Sequence, residues 1–385
     1  MPKVNKVGIR QRSKGSYQLR WKVNGEQYWQ TVEAKTETEA SEIRAKLIAD
    51  TKSGNYISKS DITLNEFYSI FRRDYLLPRR AEMTINDYDV KINRYVVNSR
   101  IGKMKIQNIK AKDIYDFYSN VRDTTNAKEG TLKIVHSYLR KILNFACDLE
   151  YISKNPMAKV ESPKPVAKKF VIWTPEEVNQ FLDYSKQRNI WSYLPMAFTV
   201  MTGLRRSEVC GLKWEDIDFD KKVIKLTRTV HQITGKPYPV IVDHGKTDKS
   251  MATIPVPDVA IALLKDIISL HMITMTQVGK DKFNNKEGWV FVNSSGSVIN
   301  SGWVTNSFRR NLQSLDLPKP MNLKGFRHMF ATFLMQKNIH PKIVQELLRH
   351  STFKLTMDTY SHVLESQGRE AVSSLDDILS GAKQS

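Results

Sequence analysis

The sequence predicts a mainly α-helical protein with small β elements: an N-terminal three-stranded sheet plus helix, a helical second domain and a mixed α+β third domain. Three observations carry this expectation. The 385 residues exceed what one ordinary hydrophobic core organises. The stretches 52–60 and 159–169 are polar or rich in proline and lysine, and they read as linkers. Elsewhere apolar residues recur mostly at helical spacing, with strand-like stretches confined to two short regions.

Residues 1–55 form the first domain. Tyr17, Leu19, Trp21 and Val23 alternate with Gln18, Arg20 and Lys22, the period of a half-buried strand. Asn24-Gly25 supplies a hairpin turn, residues 27–32 return, and 7–11 make a third strand. Thr36 and Glu39 have the spacing of a capping box, and Ala40, Ile43 and Leu47 follow on one helix face. Arg10, Arg12, Arg20 and Lys22 fall on the sheet face away from the core. A basic sheet of this size fits a DNA groove. A solvated strand face explains it as well, and both readings stay open here.

Residues 61–160 read as a compact four-helix unit. Its stripes are Leu64, Phe67, Ile70 and Phe71; Tyr88, Ile92, Tyr95 and Val96; Ile114, Phe117 and Tyr118; and Leu132, Val135, Leu139, Ile142, Leu143 and Ala146. The aromatics are expected in the core rather than as platforms for stacked bases.

Residues 170–385 form the third domain. Thr174 caps a helix that opens on Pro175, and helical patterns run to about Gly211. Strands are expected at 223–229, 240–243 and 253–256, after which helices resume. Near the end, Val372, Leu375, Ile378 and Leu379 lie on one helical stripe.

Composition narrows the function classes. A net charge of +20 and a pI near 9.7 create a field suited to a polyanion. Nucleic acid is the first candidate and an anionic membrane surface the second. No run of eighteen apolar residues occurs, so no membrane span is expected. The first fifteen residues lack the apolar stretch of a signal peptide. The two cysteines, Cys147 and Cys210, exclude a disulfide framework and fit a reducing cytoplasm. Zinc spacing and a glycine-rich phosphate loop are both missing, so no cofactor, metal or nucleotide is expected.

Several residues far apart in the chain make chemical sense together. Arg205 and Glu208 lie three apart at the start of a helix, behind Gly203. An arginine braced by a carboxylate there is placed to bind a phosphate. Lys246 sits in a polar loop, 243–250, and Lys324, Arg327, His350 and Tyr360 follow.

With these residues the sequence resembles the tyrosine recombinase (phage integrase) family, similar to integrases of temperate phages and conjugative transposons. The matching segments are TGLRRSE at 202–208, GKTDKS at 245–250, LKGFRH at 323–328, LLRHS at 347–351 and TMDTYSH at 356–362, in the family's order and spacing. The resemblance implies that Tyr360 is the nucleophile and that Arg205 and Arg327 hold the scissile phosphate. Lys246 would be the general acid on its β-hairpin, with Lys249 its rival in the same loop. His350 would stand beside the phosphate, and Glu208 would brace the first arginine. Where the family usually has histidine three before the second arginine, this chain has Lys324, as a base or as a phosphate contact. The contact is favoured, because a bound phosphate would keep the ammonium charged.

The physics agrees with these roles. A tyrosine is a poor nucleophile until its proton is lost, and a dense positive cluster favours the phenolate. Two guanidiniums stay charged at any working pH and can clamp the extra negative charge of a pentacoordinate phosphorus.

The resemblance further implies three functional parts: an arm-type DNA-binding domain at 1–55, a core-binding domain at 61–160 and a catalytic domain at 170–385. Double-stranded attachment sites would be the substrate, bound by a homotetramer, with a DNA-bending or excisionase protein as accessory. The 371–380 tail would pack on a neighbouring subunit or on its own domain. Two other readings stay open: a DNA-binding protein of the same fold that does not cleave, and a type IB topoisomerase, which shares the chemistry but relaxes supercoils without joining two sites.

Overall fold

The structure, a computed structural model, describes residues 8–53, 56–166, 171–236, 238–243, 252–319 and 321–349. The chain divides between residues 167 and 168 into two compact units.

The first unit opens with strands β1 (Ile9–Ser13), β2 (Ser16–Val23) and β3 (Glu26–Glu33), antiparallel in that order. Asn24 and Gly25 turn the hairpin at φ +51° and +90°, conformations that asparagine and glycine tolerate best. The alternating residues Tyr17, Leu19, Trp21 and Val23 are buried with Ile9 against helix α1 (Glu37–Lys52), through Ala40. The expected capping box is only half formed. Thr36 accepts from the Glu39 N–H at 3.2 Å, but the Glu39 carboxylate reaches one residue further back and accepts from the Lys35 N–H at 2.7 Å.

Four long helices follow: α2 (Leu64–Phe71), α3 (Glu82–Ile92), α4 (Ala111–Thr124) and α5 (Glu129–Asp148). Thr63 and Glu66 form a complete capping box on α2. The four apolar stripes meet in one core, with Ile70 and Tyr95 at its margin. Both α2 and α3 run on into π-helical turns, Arg72–Leu76 and Asn93–Val97. Asp89 on α3 ties the pair together by accepting from the Tyr68 hydroxyl at 2.8 Å and from Arg72 at 3.0 Å.

In the second unit α6 (Pro175–Arg188) starts on a full Thr174–Glu177 capping box, and α7 (Ile190–Thr202) and the short α8 (Arg206–Val209) follow. Strands β4 (Ile217–Asp218), β5 (Val223–Leu226), β6 (Arg228–His231), β7 (Val240–Asp243) and β8 (Ala252–Pro255) come next. They form two sheets, β4-β5-β8 and β6-β7. The strand expected at 223–229 is therefore two strands. Buried Asp216 breaks it by accepting from the Thr227 hydroxyl at 2.9 Å and from Arg228 at 2.7 Å. The outgoing arm β5-β6 faces a return arm in two pieces, β7 and β8, with residues 244–251 between them.

Helices α9 (Asp258–Val278), α10 (Ser301–Gln313), α11 (Leu323–Gln336) and α12 (Pro341–Leu348) complete the unit. Trp173, Phe181, Phe198, Phe291 and Phe326 are fully buried in its core. By length and composition α9 is apolar enough to cross a membrane. A search for an unbroken apolar run passes over it because Lys265 and Asp266 interrupt it. Its inner face, Ala260, Ile261, Leu263, Leu264 and Ile267, belongs to the core of the second unit.

Candidate active site

The site begins where α7 ends. Gly203 closes that helix at φ +65°, and a Cβ there would lie 2.5 Å from Phe330 Cδ1, so the turn and the close approach both require glycine. The chain then passes buried Leu204 and places Arg205 at the N-cap of α8. The Arg205 N–H donates to Glu208 Oε2 at 2.9 Å, and its Nη1 donates to Oε1 at 2.8 Å. Glu208 is 5% exposed at its side chain and Arg205 46%. The carboxylate is thus a buried backstop behind a guanidinium that still faces solvent. Burial would push the Glu208 carboxyl up. The charge of Arg349 and the hydrogen bonds and charge of Arg205 outweigh that and hold it below the usual range.

Arg327 approaches from α11. Asn322 caps that helix by accepting from the Gly325 N–H at 3.2 Å. Arg327 is buried, and its Nη1 donates to the Gly203 carbonyl at 2.9 Å. Its Nη2 donates to the Leu348 carbonyl. The Arg205 Nη2 reaches the next carbonyl, that of Arg349, at 3.5 Å. Both guanidiniums therefore meet consecutive carbonyls at the end of α12, immediately before His350 in the chain.

Lys324 lies one turn before Arg327 on α11 and is exposed. Buried His328 follows on the same helix. Burial first, then the charges of Lys324 and Arg327, push its imidazole down to about 4. His328 is therefore neutral at physiological pH. Arg206 points elsewhere and donates to the Thr305 hydroxyl.

Lys246, Lys249, His350, Tyr360 and the stripe at 371–380 lie outside the described residues. The structure thus brings together Arg205, Glu208 and Arg327, with Lys324 on the helix that carries Arg327. In sequence, Lys246 falls between β7 and β8.

On the N-terminal sheet Arg10, Arg12, Arg20 and Lys22 are all exposed. Arg10 pairs across the ladder with Gln18, Arg20 with Trp29 and Lys22 with Gln27, which puts them on one face. Arg12 donates to Gln18 Oε1 at 3.3 Å.

Two residues escaped the sequence reading. Trp29 is 69% exposed on that basic face. Its signal was the alternation of β3, where Tyr28, Gln30 and Val32 turn inward and a tryptophan occupies the outward register. Arg349 caps α12 in the left-handed region at φ +52° and donates to Glu208 Oε2 at 2.5 Å. Its signal was a long charged residue at a helix end that ordinarily takes glycine.

Two guanidiniums that meet beside a helix terminus, on a helical fold with small sheets, form a cationic site whose charge suits a phosphate. Comparison with known proteins gives the family. The model for the phage integrase family matches residues 172–367, and that for the phage integrase N-terminal SAM-like domain matches 63–121. A tyrosine recombinase XerC-like protein of Caldanaerobacter subterraneus is 28% identical over 357 residues, covering 89% of this chain and 90% of its own. The ICEBs1 integrase of Bacillus subtilis is 24% identical over 361 residues, covering 93% and 94%. The solved Tn1549 transposon integrase in complex with transposon right end DNA superimposes with a TM-score of 0.67 at 20% identity, over 82% of this chain and all of that one. The chain belongs to the phage integrase family. It is a tyrosine recombinase, an enzyme that cleaves and rejoins DNA in site-specific recombination.

Proposed function

We propose that the protein integrates and excises a mobile element, in the first instance a prophage, by exchanging strands between two double-stranded attachment sites. One observation carries the reading. Arg205 and Arg327, from different helices, converge on the Leu348 and Arg349 carbonyls, directly before His350. A phosphate bound there meets two permanent cations, one of them already locked in orientation by Glu208. The likeness to a transposon integrase supports a mobile element as substrate.

In this reading the Tyr360 phenolate attacks the phosphorus, and the bond to the sugar 5′-oxygen breaks. That oxygen takes a proton from Lys246. The 3′-phosphotyrosine stores the bond, and a 5′-hydroxyl from another strand attacks it and releases the tyrosine. Arg205 and Arg327 hold the non-bridging oxygens, each for roughly 10² to 10³ in rate. His350 hydrogen-bonds the phosphate, and Lys324 adds a charged contact from α11. We assign arm-site binding to 1–55, core-site binding to 61–160 and catalysis to 170–385, in a homotetramer active two subunits at a time. An accessory bending or excisionase protein sets the direction.

The test is a nicked DNA site whose cleaved end diffuses away. The wild-type protein is expected to accumulate a covalent complex, and Tyr360→Phe none. A complex that persists in that variant would remove the proposed nucleophile. Joining of two plasmids, rather than relaxation of one, separates recombination from topoisomerase action.

A further inference from the structure

We infer that Arg349 is a positioning residue for the cleavage step: it locks the Glu208 carboxylate, and through it the Arg205 guanidinium, in place for the phosphate. The inference rests on the active-site reading above.

Two features of Arg349 have to be explained together. Its backbone sits at φ +52°, a region that L side chains avoid and that glycine fills without strain. A helix that merely needs to stop would do better with glycine here. The side chain, however, is not spent on solvent. It is 22% exposed and folds back to Glu208, 141 positions earlier, at 2.5 Å. The strained cap is what lets the last residue of the α12 turn point its guanidinium into the site.

The carboxylate has few other restraints. Glu208 Oε1 accepts from Arg205 Nη1, and Oε2 accepts from the Arg205 N–H and from Arg349 Nη2. Among the described residues, a nearly buried anion without Arg349 would keep partners on one residue only, the residue it is supposed to fix. A brace held by nothing but its own load does not define an orientation. The contact is reciprocal, because the Arg205 Nη2 reaches the Arg349 carbonyl at 3.5 Å. Arg349 therefore ties the end of α12, the residue before His350, to the start of α8 by its side chain and its backbone together. It acts through Arg205 and need not touch DNA.

The test compares wild type, Arg349→Lys and Arg349→Gly in single-turnover cleavage of the nicked site, with thermal unfolding measured beside it. Glycine relieves the backbone while loss of the guanidinium weakens the pairing of Glu208, so the two effects oppose and Arg349→Gly is expected to melt somewhat below wild type but to remain folded. Its cleavage rate at saturating DNA is expected to fall roughly 10- to 100-fold, the range seen when a group that orients a functional ligand is removed. Arg349→Lys keeps the charge and is expected to fall between the two in rate. Added guanidinium ion is expected to restore part of the Arg349→Gly rate. A rate loss that guanidinium ion leaves unchanged, or an Arg349→Gly protein as fast as wild type, would overturn the inference. If wild type itself forms no covalent complex, the site reading fails instead.

Discussion

The guanidinium of Arg327 donates to the carbonyl of Gly203 at 2.9 Å, across 124 positions of sequence. The contact ties the end of α7, two residues before Arg205, to the helix that carries Arg327, so the distance between the two charges follows from the packing of α7 on α11. Gly203 makes that packing close, because carbons of the Phe330 ring crowd the place where a Cβ would stand.

Gly203→Ala should therefore act on fold and site at once. A Cβ would lie 2.5 Å from Phe330 Cδ1, at a φ of +65°. We expect a stability loss of roughly 2 kcal/mol or more in denaturant titration, together with slower covalent-complex formation. Adding Phe330→Ala should recover the part due to the clash and leave the part due to the backbone.

Asp216 makes a second testable junction. It is buried and accepts from the Lys213 N–H at 2.9 Å as well as from Thr227 and Arg228. The Arg228 side chain is 13% exposed and keeps Glu215 at 2.9 Å as an outer partner. Asp216→Ala should cost roughly 3 kcal/mol, the usual effect of breaking one side of a buried pair. A loss near zero would show that Glu215 and Asp243 together satisfy Arg228.

Acid should destabilise the second unit through two histidines. Burial pushes His271 down to about 4, among Trp191, Trp214 and Phe283, and His328 is also held at about 4. Both start from an ordinary value of 6.5. Between those limits the unfolded chain binds protons that the folded one refuses. Their contribution is thus intact above pH 6.5, is lost as pH falls towards 4, and levels off below it. His271→Phe, apolar among apolar neighbours, should roughly halve the pH slope due to this pair. An unchanged slope in stability measured from pH 7 to 4.5 would rule out His271 as a source.

The basic sheet face makes a salt-dependent prediction. Arg20→Ala should weaken binding to an arm-type DNA and lower the slope of log affinity against log salt by about one. Trp29→Ala should weaken binding without altering that slope, because an indole displaces no counterions. Equal slopes for all three proteins would make this face a solvated surface.

How much of this was legible beforehand depended on distance along the chain. The helix stripes and the Arg205–Glu208 brace are local patterns, fixed by residues three or four apart, and they read directly from sequence. The partners of Arg327 do not, because a backbone carbonyl has no side-chain signature. The strand break at Thr227 was hidden too. Residues 223–229 favour a strand throughout, and the interruption comes from Asp216, outside the segment. Arg349 was quoted within a motif, but nothing local says that its side chain turns back to Glu208.

The π turns at Arg72–Leu76 and Asn93–Val97 also bear on how this protein tolerates changes in length. Each such turn accommodates one residue more than an ordinary helical turn. Deleting one residue there would let the spiral tighten while the side chains before and after keep their bearings. The same deletion within Leu64–Phe71 would swing everything after it by about 100°. The exposed positions of the two turns, Arg73 in one and Asn93 or Arg94 in the other, are therefore where this part of the chain should lose a residue at least cost.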